Sequence, residues 1–199
     1  VSGSEQRLFI ALALPDEIKR SLARLSENLQ KGIRFTPCRL SWVSAETMHL
    51  TLRFLGAIDR SRIEGLSAEL RAIAARHGPI RMRARQLEVI PHWRRPRVLW
   101  VGVHGGGALE ALHGEIEAMA ARGGIERSDA PFHPHLTLAR FKSSRAIAAA
   151  RGVVEAHRGF RTEDFEIGAV TLFRSELRPE GARHEALERA RLEKSPGRG

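Results

Sequence analysis

The sequence predicts an α+β protein of two pseudo-symmetric lobes, each a mainly antiparallel sheet with helices outside, facing one another across a central cleft. Three observations carry this. The tetrapeptide His-Leu-Thr-Leu occurs twice, starting at His49 and at His135, 86 positions apart in a chain of 199 residues. Apolar runs of strand character alternate with segments of helical period. Several of the strand-like segments follow one another as hairpins, which a purely parallel sheet does not allow. A doubly wound nucleotide-binding fold is the structural alternative, suggested by Gly105-Gly106-Gly107 after a strand. Those glycines lack the spacing of the dinucleotide fingerprint.

Each element has its own justification. Residues 8–14 are a continuous apolar run, too short for most helices and closed by Pro15, and read as a buried strand. Beyond it Ile18, Leu22, Leu25 and Leu29 recur at helical spacing, with Pro15 at the first turn. Residues 34–47 are loop-like, with Trp42-Val43 opening a short extended piece before the first His-x-Thr strand at 48–55, which Gly56 ends. Asp59 or Ser61 caps a helix with the face Ile63, Leu66, Leu70 and Ile73, stopped at His77-Gly78-Pro79. An Arg-rich strand at 80–90, with Arg81, Arg83 and Arg85 on one exposed face, leads into the basic loop Pro91-His92-Trp93-Arg94-Arg95-Pro96. A strong strand at 98–103 follows, and Trp100 within it reads as core.

The second half repeats the order. The triple-glycine turn opens a helix with the face Leu109, Leu112, Ile116 and Met119. Pro131 and Pro134 bracket the approach to the second His-x-Thr strand at 135–141. Ser143 or Ser144 caps a helix carrying Ile147, Ala150 and Val154, and residues 165–173 read as one long strand. A turn at Arg178-Pro179-Glu180-Gly181 precedes a last strand at 184–187. Residues 1–189 are expected to form a single bilobal domain, and residues 190–199 a disordered charged tail.

Charge narrows the partners. With 33 basic against 23 acidic residues the chain carries +10, which points to a polyanion: RNA, DNA or an anionic membrane. Only Lys19, Lys31, Lys142 and Lys194 are lysines, so the rest is arginine, whose planar fork suits phosphate oxygens, although GC-rich coding would give the same bias. Cys38 is the only cysteine, which excludes an internal disulfide and a thiolate metal cluster. Without a long apolar run or a signal peptide, the expectation is a cytoplasmic monomer with no membrane and no protein partner.

The repeated motif carries the chemistry. On a strand, His and Thr two apart share one face while the leucines point the other way into a core. Packing explains the leucines but not the polar face. Two imidazoles facing one substrate suit phosphoryl chemistry, in which one proton leaves an attacking oxygen and another reaches the leaving oxygen. An ordinary imidazole titrates near pH 6.5, so one can be neutral and the other charged. Threonine hydroxyls can donate to the non-bridging oxygens.

These residues resemble the 2H phosphoesterase superfamily, and within it the bacterial RNA 2′,3′-cyclic phosphodiesterase branch, also called 2′-5′ RNA ligase. The likeness spans nearly the whole chain, from Arg7-Leu8-Phe9-Ile10-Ala11 through both motifs and Arg97-Val98-Leu99-Trp100 to Leu172-Phe173-Arg174-Ser175-Glu176-Leu177. The resemblance implies a bilobal fold and metal-free, cofactor-free hydrolysis of a terminal 2′,3′-cyclic phosphate to a 2′-phosphate. It implies His49 as proton donor to the 3′ oxygen, His135 as proton acceptor from water, and Thr51 and Thr137 as phosphate ligands. Arg140 is similar to a basic residue often found after the second motif, yet strict alternation points it away from His135. His184 stands where relatives often have an aromatic after the final turn, and Trp93 is the aromatic nearest a loop phenylalanine of the family. Reversible, ATP-independent 2′-5′ ligation would use the same acid and base.

Two other readings compete. His133-x-His135 is a metal-ligand spacing on a strand, which suits a metal-dependent hydrolase if further ligands converge. A non-catalytic RNA-binding protein would hold the backbone with arginines and stack bases on Trp42, Trp93 or Phe54.

Overall fold

The computed structural model describes residues 5–34, 36, 38–126, 131–142, 147–178 and 181–193. The candidate caps Ser143 and Ser144, Pro179 and Glu180 of the expected turn, and residues 194–199 lie outside them. The chain runs β1 (Glu5–Ala13), α1 (Asp16–Ile33), β2 (Leu40–Trp42), β3 (His49–Asp59), α2 (Ile63–Ala74), β4 (Ile80–Ile90) and β5 (Val98–His104). It continues through α3 (Gly106–Arg122), β6 (His135–Phe141), α4 (Ile147–Ala156), β7 (Phe165–Ile167), β8 (Ala169–Arg178) and β9 (Gly181–Arg191).

Two sheets result, β3-β1-β8-β9 and β2-β6-β5-β4-β7, and their strand pairs are antiparallel. The first sheet joins β1 and β3 to the last two strands, and the second takes β2 and the strands between β3 and β8. The lobes are therefore not the two halves of the sequence. Each helix was legible in its apolar spacing: Ile18, Leu22, Leu25 and Leu29 of α1, and Leu109, Leu112, Ile116 and Met119 of α3, are all buried. Asp59 caps the turn before α2, its carboxylate accepting from the Ser61 backbone N–H at 2.8 Å.

Three boundaries differ from expectation. β3 does not end at Gly56 but passes through it to Asp59, because Gly56 takes φ +78, a conformation side chains resist, beside an extra residue, Leu55, in the register with β1. Residues 165–173 are two strands, since Gly168 parts β7, on β4, from β8, on β1. β9 continues to Arg191, where the sequence suggested a charged tail; Ala190 and Leu192 are buried, so each second residue of this segment faces the core.

Candidate active site

Both His-x-Thr strands are half polar and half core. Leu50, Leu52, Leu136 and Leu138 are buried at 4% exposure or less, while His49, Thr51, His135 and Thr137 stay partly accessible on the opposite faces. A cleft of about 750 Å³ lies between the motif strands and α3; Thr51, Phe54 and His135 line it from the strands, and His113 and Glu117 from the helix. His49 and Thr137 sit one register step away on the faces that carry Thr51 and His135.

The two imidazoles are held alike. His49 Nδ1 donates to the carbonyl of Thr47 at 2.7 Å, and His135 Nδ1 donates to the carbonyl of His133 at 2.7 Å. A donor at Nδ1 leaves Nε2 of the neutral ring as the nitrogen that can take a proton. Their surroundings differ. His49 rests on the rings of Phe9 (4.9 Å), His184 (5.2 Å, edge-on) and Phe173 (6.2 Å). This apolar seat pushes its pKa down to about 4, burial outweighing the Thr47 hydrogen bond, with the His184 charge adding to the fall. His135 meets Trp100 edge-on at 4.7 Å. Its pKa is also lowered, by burial first and then by the charges of Arg140 and His133, against the pull of the His133 carbonyl.

Arg140 reaches His135 because β6 does not alternate strictly. Opposite β5, Leu99 pairs with Ala139 and Trp100 with Thr137, so Leu138 is an extra residue that reverses the parity beyond it and returns Arg140 to the His-Thr face. β3 does the same: Ile10 pairs with Arg53 and Ala11 with Thr51, leaving Leu52 as the extra residue and returning Phe54 to the face of His49. The bulge is duplicated along with the motif. Arg140 and Phe54 thus hold equivalent places, a cation on one strand and, on the other, a phenyl ring 66% exposed.

Other expectations shift. Trp93 does not line the cleft; it packs against Phe141, with Arg151 over its ring at 5.9 Å, on a separate cavity of about 290 Å³. Trp100 is not core but shares the His135 face, and its indole N–H is buried without a partner among the described residues. The alternation of buried Leu99, Val101 and Val103 already carried that signal. On the arginine face of β4, Asp164 is shared by two cations, accepting from Arg81 at 2.9 Å and Arg83 at 2.5 Å. Sequence reasoning also missed the wall against α3. There Arg53 pairs with Glu117 at 3.3 Å and donates to the Glu126 carbonyl, while His113 stacks on Phe132 at 3.7 Å. Among the described residues no group of three or more His, Cys, Asp or Glu is placed to hold a metal ion around His133 and His135.

Two antiparallel sheets presenting paired His-x-Thr strands to one cleft define a 2H phosphoesterase by class. Residues 14–179 match the model of the 2′-5′ RNA ligase superfamily, and the chain belongs to it. It is 32% identical over 162 residues to the RNA 2′,3′-cyclic phosphodiesterase of Aeropyrum pernix, covering 80% of this chain and 90% of that protein. With the Escherichia coli protein of the same name it shares 35% identity over 136 residues, 68% of this chain and 72% of the relative. The solved structure of Escherichia coli LigT complexed with 3′-AMP superposes with a TM-score of 0.74 at 28% identity, covering 96% and 99% of the two chains. TT0787 of Thermus thermophilus gives 0.73 at 28%, covering 94% and 97%.

Proposed function

We propose that this chain hydrolyses the terminal 2′,3′-cyclic phosphate of RNA to a 2′-phosphate, with His49 and His135 as acid and base. The observation that supports it most is the duplicated imidazole geometry, each Nδ1 bound to a main-chain carbonyl and each Nε2 left to exchange protons. Water loses a proton to Nε2 of His135 as its oxygen bonds to phosphorus, and the P–O3′ bond breaks as Nε2 of His49 protonates the leaving oxygen. Thr51 and Thr137 donate to the non-bridging oxygens, where charge builds.

The free protein holds both histidines neutral at pH 7, and His49 the more firmly. Docking of the anionic phosphate raises both pKa values, so His49 takes up the proton it needs from solvent as the substrate binds, and binding and protonation are coupled. Orientation comes from the unlike pair at equivalent places: the Phe54 ring offers a base an apolar face, and Arg140 offers phosphate a charge. The same groups in reverse would join a cyclic phosphate to a 5′-hydroxyl.

The test is a short RNA ending in 2′,3′-cyclic phosphate, incubated with the protein in excess chelator. Ring opening that the chelator leaves unchanged is the expected result. Binding without turnover would leave the non-catalytic reading standing, and loss of turnover on chelation the metal-dependent one.

A further inference from the structure

We propose that the RNA upstream of the reacting end follows a basic stripe that leaves the cleft at Arg140 and continues over Arg39, Lys142 and the Arg95 loop. The proposal rests on RNA being the substrate, and it concerns the chain of phosphates beyond the terminal nucleotide.

Strand register builds the stripe. The Lys142 backbone N–H donates to the Arg39 carbonyl at 2.8 Å, Ser41 faces Arg140, and Arg140 faces Val98. Residues in one cross-strand row share a face, and rows two apart share it again. Arg39 and Lys142 therefore stand on the face of Arg140, which the Leu138 bulge has made the face of His135. At about 3.3 Å per residue, and with the bulged Leu138 adding no step, Lys142 lies roughly 20 Å along the strand from His135. Beside this row the Arg97 N–H donates to Ile90 O at 2.7 Å and the Phe141 N–H to Arg97 O at 3.0 Å, which fixes the loop carrying Arg94 and Arg95 at the same end of the sheet. Arg39, Arg94, Arg95, Arg97, Arg140 and Lys142 are all exposed.

Charge then identifies the occupant. Several arginines elsewhere are matched with acids: Arg71 with Glu188, Arg76 with Glu115, Arg81 and Arg83 with Asp164, Arg122 with Glu69, Arg174 with Glu185. The stripe has no such partner among the described residues, and segments 36–43, 91–98 and 131–142 contain no Asp or Glu. Like charges on neighbouring strands repel and weaken pairing. A polyanion laid along them reverses that sign, and a chain whose phosphates begin at the cleft fits a line of cations that begins there.

The experiment compares the wild-type protein with Arg39→Gln/Arg95→Gln/Lys142→Gln in fluorescence anisotropy, using a labelled single-stranded RNA of roughly 12 nucleotides ending in a 3′-hydroxyl, across a salt series. Each phosphate that is no longer neutralised should flatten the slope of log K against log salt by about 0.7, so the triple variant should lie about two units shallower. It should also bind at least tenfold more weakly at low salt. Hydrolysis of a nucleoside 2′,3′-cyclic monophosphate, which has no upstream phosphate, reports whether the variant is folded and its histidines competent. An unchanged slope in a competent variant overturns the stripe. So does competition by polyglutamate or phosphatidylserine vesicles as strong as by unlabelled RNA at equal charge, which would make the surface a generic anion or membrane contact. If the wild type lacks turnover but the slope flattens as expected, the activity reading falls and the stripe stands.

Discussion

β3 and β6 carry the same four residues and the same bulge, yet they set their histidines in unlike media. His49 lies on a floor of Phe9 and Phe173 with His184 at its edge, so its charged form is penalised strongly; His135 lies beside Trp100, His133 and Arg140 and is penalised less. One position past each bulge, Arg53 is tied into the α3 wall where Ala139 is simply buried, and one further, Phe54 answers Arg140. Duplication supplies two interchangeable proton carriers, and the neighbours that differ make them distinguishable.

The largest effect falls on the shared part. His49→Ala and His135→Ala should each lower kcat about 10²–10⁴-fold with the fold intact, checked by single-turnover hydrolysis and circular dichroism. Near-normal turnover by either folded variant would remove that histidine from the chemistry. Thr51→Val and Thr137→Val should each cost about 10²–10³-fold in kcat if both hydroxyls meet the charged phosphate oxygens.

Making β3 resemble β6 at its next position sharpens the contrast. Arg53→Ala strips Glu117 of a cation in a site where the two side chains are 9% and 17% exposed, and should cost about 3 kcal/mol in urea unfolding. A loss below about 1 kcal/mol would mean that solvent already screens the pair.

The pH dependence follows from the depressed imidazoles. As pH falls, His135 gains a proton and stops acting as base; as pH rises, His49 loses the proton it must donate. With His49 near 4 and His135 below its ordinary value, the bell for kcat/KM should peak below pH 6.5, and the bell for kcat should lie at higher pH because bound phosphate favours the imidazolium. A kcat/KM optimum well above neutrality would contradict the apolar seat. The smallest effect expected is that of His184→Phe, which keeps a ring against His49 but removes a like charge, so the acid limb should move to higher pH with little change in kcat.

Much of this was legible in the sequence because helical and strand periods are local. The α1 and α3 faces and the His-Thr face needed only spacing. What escaped depends on partners. Nothing in His135–Phe141 itself reveals that Leu138 is an extra residue; β5 decides that, and with it the side on which Arg140 emerges. The split at Gly168 exists because β7 and β8 join different sheets, which spacing does not show. Trp93 looked like a substrate contact from its loop, but the packing of α4 drew it to the far cavity. His184 joined the site through β9, more than a hundred positions from His49 in sequence.

The central claim is that two look-alike histidines hold different jobs, and the product isomer tests it most directly. In-line attack puts water and leaving oxygen on opposite sides of phosphorus, so a nucleotide held in one orientation gives His49 the 3′ oxygen and His135 the water. Phosphorus NMR of the hydrolysed RNA end should show only the 2′-phosphate. A mixture of 2′- and 3′-phosphates, or a clean 3′-phosphate, would contradict the assignment even if both histidines proved essential.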